Sequence, residues 1–219
     1  MLKEVVIFDV CNTLYNSNTT FEFINFALEK KRPGKKTAFD LLTKKFSFFF
    51  IGWTLLGKAT KQDIIRTKAL GLLKGINRQE LYELAEEFYH SYLSHKQMDD
   101  TIQMLKEAIG EHEVWLFSNS IEPVIYAIAK NLNCHYEATE LEYNNNNVFT
   151  GRIKRDLSGK KNEAFVNRFG KEATIKMMCS DNKSDLEILK LAKKPVVIIY
   201  KASDRAFWKS LNPMFIEKF

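Results

Sequence analysis

The sequence predicts an α/β protein built on a doubly wound parallel sheet, with a helical insert after the first strand. Three observations carry this. Short β-branched and aromatic runs recur at residues 4–9, 113–117, 174–179 and 196–200. Segments of helical period separate the later ones, the grammar of a parallel sheet covered on both faces. Between about residues 16 and 98 the strand signal disappears and helical spacing takes over. The expected organisation is a core of residues 1–15 and 99–219 with a helical cap at 16–98.

Each element has its own signal. EVVIFD is a continuous apolar run ending in an acid and the polar Cys11-Asn12-Thr13, as a fully buried strand entering a loop would be. KRPGKK breaks the helical region into short helices. Within it, Leu81, Leu84, Ala85, Phe88 and Tyr92 fall at helical spacing, and Asn77 with Glu80 makes a capping-box start. Residues 101–109 are helical, and EVWLF is a second buried strand ending at Ser118-Asn119-Ser120. Residues 123–132 are helical. A strand near 135–141 and another at 148–153 flank an Asn run at 144–147, read as a hairpin turn with no site implied. A helix at 162–169, a strand at 174–179, a helix at 184–192 and a strand at 196–200 complete the pattern. Trp208 is expected to pack a C-terminal helix onto the sheet.

Composition excludes several classes. An apolar fraction of 45% rules out a disordered chain, and nine Gly with four Pro rule out collagen-like and linker proteins. Three cysteines at wide, irregular spacing form neither a disulfide framework nor a zinc pattern, so a reducing, cytoplasmic setting is expected. The N-terminal apolar stretch is short and interrupted by Asp9, unlike a secretory signal. FSFFFIGWTLLG, residues 46–57, falls short of the roughly 18–20 residues of a membrane span. Its bland reading is cap core. Its alternatives are a greasy substrate pocket, or a partner-facing or lipid-facing surface bracketed by Lys44, Lys45 and Lys58. The histidines have no ligand spacing. No Walker-type loop, zinc cluster or nucleic-acid recognition motif is present, so no nucleic-acid partner is expected.

Ligands of open α/β sheets bind beyond the carboxyl ends of the strands. There the first strand delivers Asp9, Cys11 and Thr13, the second Ser118, Asn119 and Ser120, and the third Ser180, Asp181 and Asp185. Lys160 and Lys161 start the helix just before that third strand. Alone, each is a cap, a loop or a solvated face. Together, acids, a hydroxyl and a lysine suit metal-assisted chemistry at a phosphoryl group: carboxylates take a hard cation, and lysine and hydroxyl take anionic oxygens.

These residues resemble the motifs of the haloacid dehalogenase superfamily. FDVCNTLY is similar to its Asp-x-Asp-x-Thr-Leu motif, LFSNS to its second, GKKNEAF to its third, and CSDNKSDLEIL to its Gly-Asp-x-x-x-Asp motif. The phosphoserine-phosphatase-like branch is the nearest, through KGINRQELYELAEEFYHSYL in its cap, VFTGRI in its hairpin and KPVVIIYKASDRAFWK near its C-terminus. The resemblance implies a Mg2+-dependent hydrolase of a phosphomonoester, with Asp9 as nucleophile forming an aspartyl-phosphate. It implies that Ser118 and Asn119 hold phosphoryl oxygens and that Lys161, with Lys160 as fallback, neutralises their charge. Asp9, Asp181 and the carbonyl of Cys11 would take the metal, Asp185 would orient Asp181 or a metal-bound water, and Thr13 would cap the first turn. Phosphorylated small molecules or lipid phosphates are the implied substrates.

Cys11 departs from the family pattern, which has a second Asp there to protonate the leaving oxygen and then activate water. A thiol is a poor donor, and losing a general acid/base costs on the order of 10²–10⁴ in rate. Ser180 and Asn12 each replace a usual Gly. Three readings stay open: a phosphatase that tolerates Cys11, a phosphotransferase whose aspartyl-phosphate hydrolyses slowly, and a phosphoryl-ligand-binding or regulatory protein without turnover. Cys11 as a small buried apolar residue is the bland alternative. Retention of Asp181 and Asp185 argues against a metal-free dehalogenase. The net charge of +6 lies wholly in residues 16–98, which hold 14 Lys+Arg against 8 Asp+Glu. That placement favours an anionic substrate or an anionic membrane surface.

Overall fold

The computed structural model describes residues 4–44 and 63–219. The run at 46–57, with Lys45 and Lys58, lies outside the described residues. Among the described residues, no helix is long and apolar enough to cross a membrane.

A seven-stranded sheet runs in the order β4-β3-β2-β1-β5-β6-β7. Its strands are β1 Glu4–Phe8, β2 Glu113–Ile121, β3 His135–Tyr143, β4 Phe149–Arg155, β5 Thr174–Ser180, β6 Ala192–Ile199 and β7 Met214–Glu217. All neighbours are parallel except β3 and β4, an antiparallel hairpin. β1 is central, so its apolar run has no solvent side. Val6 and Phe8 enter one core and Val5 and Ile7 the other, as the period of two in a strand requires.

Between β1 and β2 lie α1 Thr19–Lys31, α2 Lys36–Thr43, α3 Ile64–Gly71 and α4 Arg78–Ser91, followed by α5 Asp99–Ile109. Pro33 opens a single 3-10 turn in KRPGKK and separates α1 from α2. Asn77 accepts a hydrogen bond from the Gln79 amide, capping α4 as its position suggests. Glu80 instead pairs with Lys31 at 2.5 Å. Tyr92 is 37% exposed, and Tyr89 takes the buried place expected of it. α6 Glu122–Leu132 and α7 Lys161–Phe169 follow β2 and β4.

The Asn144–Asn147 stretch is a turn, with Asn144 Oδ1 accepting from the amides of Asn146 and Val148 and Asn147 at φ +57°. It also anchors the helical region. The Gly75 amide donates to the Phe149 carbonyl, Phe149 to Ile76, and Arg78 to Asn147, at 2.7–2.9 Å.

Three differences from expectation stand out. The helix expected at 184–192 shrinks to a 3-10 turn, Lys183–Asp185, and one helical turn, α8 Leu186–Leu189. The ladder with β5 claims the rest, since Ala192 already pairs with Ile175. The C-terminal helix is a single turn, α9 Arg205–Trp208, although Trp208 is buried on the sheet as expected. β7, unanticipated, extends the sheet along β6 because the chain returns in register at Met214.

Candidate active site

β1 ends one residue before Asp9, whose amide donates to the Cys179 carbonyl at 2.9 Å. That bond continues the ladder with β5 and points the buried side chain past the end of the sheet. Lys161, in the first turn of α7, reaches the same place. Its Nζ donates to Asp9 Oδ1 at 2.8 Å and to Asp185 Oδ2 at 2.6 Å. Lys161 is 2% exposed, whereas Lys160 faces solvent, so of the two lysines it is Lys161 that the fold brings to Asp9. Ser180 Oγ donates to the same Asp185 oxygen at 2.7 Å. The serine that stands in place of a Gly thus ties Asp185 to the end of β5.

The electrostatics follow from burial. Desolvation pushes the Asp9 carboxyl up to about 6, with Lys161 pulling it down and Asp185 pushing it further up. Desolvation and the Asp9 charge push Asp181 up to about 7. Burial pulls the Lys161 ammonium down, but Asp185 and Asp9 outweigh it and raise its pKa. The site holds more buried negative charge than its one lysine balances.

The loop after β1 is wound tightly. The amides of Thr13, Leu14 and Tyr15 all donate to the Val10 carbonyl. Asn12 takes φ +51°, a left-handed conformation that asparagine tolerates better than most residues, which explains how it replaces a Gly. Thr13 does not cap its own turn. Its hydroxyl accepts from the Asp181 amide at 3.2 Å and lies 3.3 Å from Asp181 Oδ1, joining the loop to the end of β5.

A cavity of about 320 Å³ opens over these residues. Asp9, Cys11, Ser118, Asn119 and Asp181 all line it, while Lys161 and Asp185 stand behind Asp9. Residues 118–120 fall inside the span of β2, but the ladder with β3 is broken between Phe117 and Ile121. Ser118 Oγ accepts from the Ser120 amide at 3.2 Å.

Cys11 Sγ lies 3.1 Å from Thr19 Oγ1, which donates to Ser120 Oγ at 2.8 Å; Thr20 Oγ1 is 2.9 Å from the same Ser120 oxygen. Burial and the Asp9 charge push the thiol up to about 11, against the hydrogen bond to Thr19. Among the described residues, the side chain it bonds is the Thr19 hydroxyl.

Asn18, Thr20, Asp63, Arg66 and Ser158 also line the cavity, and Thr19 bonds Cys11, although no motif of the sequence points to them. Thr19 and Thr20 carried a faint signal as the start of α1. Arg66, on a helix beginning Ile64-Ile65, carried none, yet it is 6% exposed and lines the cavity. Among the described residues, other cations of the region sit in surface pairs such as Lys30–Glu87, Lys96–Glu22 and Arg78–Glu122.

Among the described residues no group of three or more His, Cys, Asp or Glu is arranged as a metal cluster. The carboxylates that line the cavity beside each other's strand ends are Asp9 and Asp181, both with pKa values raised mainly by burial. A hard ion that keeps much of its water and takes one or two carboxylates fits that donor set.

No curated protein matches the sequence. Among solved structures, a protein of unknown function from Bordetella pertussis Tohama I superposes with a TM-score of 0.78 at 18% identity, covering 100% of both chains. A phosphoserine phosphatase holding an analogue of its phospho-aspartyl intermediate superposes with a TM-score of 0.60 at 17% identity, covering 100% of this chain and 95% of that one. Cytosolic 5'-nucleotidase IIIB bound to cytidine gives 0.65 at 12% identity, covering 99% and 80%. At such identities the likeness is one of fold. The sequence itself matches the haloacid dehalogenase-like hydrolase family over residues 6–190. That match spans most of the chain, which therefore belongs to the haloacid dehalogenase-like hydrolase family.

Proposed function

We propose that this chain is a Mg2+-dependent phosphohydrolase that acts on a phosphomonoester through an aspartyl-phosphate on Asp9. One observation carries the reading: Asp9 is held by buried Lys161 at 2.8 Å and lines the same cavity as Ser118, Asn119 and Asp181. In this reading Asp9 Oδ attacks phosphorus, the ester oxygen departs, and water later cleaves the acyl phosphate to release inorganic phosphate and free Asp9. Ser118 and Asn119 hold the phosphoryl oxygens. Lys161 keeps Asp9 oriented and offsets the charge that builds on phosphorus. Asp9, Asp181 and the carbonyl of Cys11 would hold Mg2+, which when bound neutralises phosphoryl charge. Asp185 holds Lys161 in place.

Residues 16–98 act as the cap that selects substrate over a core of residues 1–15 and 99–219. Support comes from the residues of α1 and α3 that line the cavity, Thr20, Phe21 and Arg66. A cytoplasmic setting is part of the reading, supported by three free cysteines. Membrane contact through residues 46–57 is a separate proposal resting on sequence. Liposomes tell it apart: wild type should float with anionic vesicles and a Phe49→Asp/Trp53→Asp variant should not, and no flotation of either ends it.

Cys11 narrows the substrate. A neutral thiol is a weak acid, so the reading favours substrates whose leaving oxygen needs little protonation, such as aryl phosphates among the esters or acyl phosphates among the anhydrides. Mg2+-dependent release of phosphate from an aryl phosphate, lost in Asp9→Asn, tests the whole scheme. Absence of turnover on both aryl and acyl phosphates overturns it. The same thiol favours a second reading, a phosphoryl-binding or regulatory protein. Inorganic phosphate or orthovanadate binding without turnover would mark that outcome.

A further inference from the structure

We propose that Arg66 is a positioning residue: it reaches from α3 into the core and holds the segment 118–120 in the shape that faces the phosphoryl group. The inference rests on the phosphohydrolase reading above for what that segment does, and on geometry alone for how it is held.

The segment has lost its usual support. Parallel pairing of β2 with β3 stops at Phe117 and resumes at Ile121, so the backbone carbonyl of Asn119 is outside the ladder. Without a ladder partner, that carbonyl takes its donors from elsewhere. Two side chains supply them: Arg66 Nη1 at 3.2 Å and Thr139 Oγ1 at 3.0 Å.

Arg66 is itself fixed. Nη2 donates to Asp156 Oδ1 at 2.6 Å. That same oxygen accepts from the Ser158 amide at 2.9 Å. Asp156 therefore pins both the arginine and the loop that leads into Lys161. A planar guanidinium can serve the carbonyl and the carboxylate at once; a lysine ammonium cannot reproduce that fork. The arrangement makes the phosphate-facing segment depend on α3 being seated.

Steady-state kinetics on p-nitrophenyl phosphate, orthovanadate affinity and amide hydrogen exchange together test this on the full chain, using Arg66→Lys, Arg66→Gly and Asp156→Asn. A misplaced binding segment costs on the order of 10² in rate. Arg66→Lys and Arg66→Gly should lose roughly that factor in kcat, with a smaller change in KM. Amides 118–120 should exchange faster in both, and in Asp156→Asn. Added guanidinium at low millimolar concentration should restore part of the Arg66→Gly rate. Unchanged exchange at 118–120 in both Arg66→Lys and Asp156→Asn overturns the proposal. A loss confined to KM overturns it too, since that would mark direct substrate contact. If the wild type neither turns over nor binds vanadate, the phosphohydrolase reading fails, and the exchange measurements still decide whether Arg66 holds the segment.

Discussion

Lys161 Nζ lies 2.8 Å from Asp9 Oδ1 although 152 residues separate the two in the chain. Both side chains are almost wholly buried, and Lys161 also holds Asp185. Removing one partner of a buried ion pair leaves the other charge uncompensated, which typically costs about 3–5 kcal/mol. Lys161→Met should therefore destabilise the fold by about that amount in urea unfolding. Asp9→Asn/Lys161→Met should recover part of it. A loss below about 1 kcal/mol would show that the triad is not the electrostatic keystone its burial indicates.

The raised carboxyls imply a slope of stability with pH. An acid whose pKa is higher in the folded state binds its proton more tightly there. Its contribution is complete below the ordinary value of 3.8 and is lost as pH rises through about 6 for Asp9 and about 7 for Asp181. The metal-free protein should thus lose Tm between about pH 4 and pH 7 from these groups, and Asp181→Asn should flatten the slope. Millimolar Mg2+ should flatten it as well. Scanning calorimetry across that range checks this, and a slope identical in wild type and Asp181→Asn contradicts it.

Cys11→Asp places a carboxylate where the thiol now sits 3.1 Å from Thr19 Oγ1. With a general acid restored, hydrolysis of alkyl phosphates should rise on the order of 10²–10⁴, with a much smaller gain on aryl phosphates. Equal gains on both would mean that leaving-group protonation is not what Cys11 limits.

Gly151 and Gly159 separate backbone strain from crowding. Both have positive φ, +86° and +67°. A Cβ at Gly151 would come within 3.1 Å of Lys74 Cβ, while one at Gly159 meets nothing within 4 Å. Gly159→Ala should cost about 1 kcal/mol from its dihedral alone. Gly151→Ala should cost clearly more, since β4 and residues 74–76 must part where their backbones hydrogen-bond. Urea midpoints decide it; equal costs would show that the Lys74 contact yields freely.

Much of the fold was legible in the sequence because its signals are local. EVVIF reads as a central strand because it is apolar on both faces, and both faces prove to be covered. Asn77 announces its helix through a cap that needs only its own neighbours. The parts misread are those decided by distant pairing. Residues 190–192 look like the end of a helix until Ile175 pairs with Ala192, and β7 exists only because β6 offers an open edge.

The site divides in the same way. The order and spacing of Asp9, Ser118, Lys161 and Asp181 are properties of the sequence, and their motifs sufficed to point to the hydrolase family, while strand ends converge once the strands are known. The burial of Lys161 against Asp9, the commitment of Asp185 to Lys161 and Ser180, and the entry of Arg66 were decided only in three dimensions. The excess charge of residues 16–98 shows the difference plainly. Sequence locates it in one region, but burial draws Arg66 inward to a carbonyl outside the ladder while Lys30 and Lys96 stay in surface pairs. Spacing along a chain specifies which residues share an element. Which of them lose water and must find a partner depends on what packs over them, and only the tertiary structure sets that.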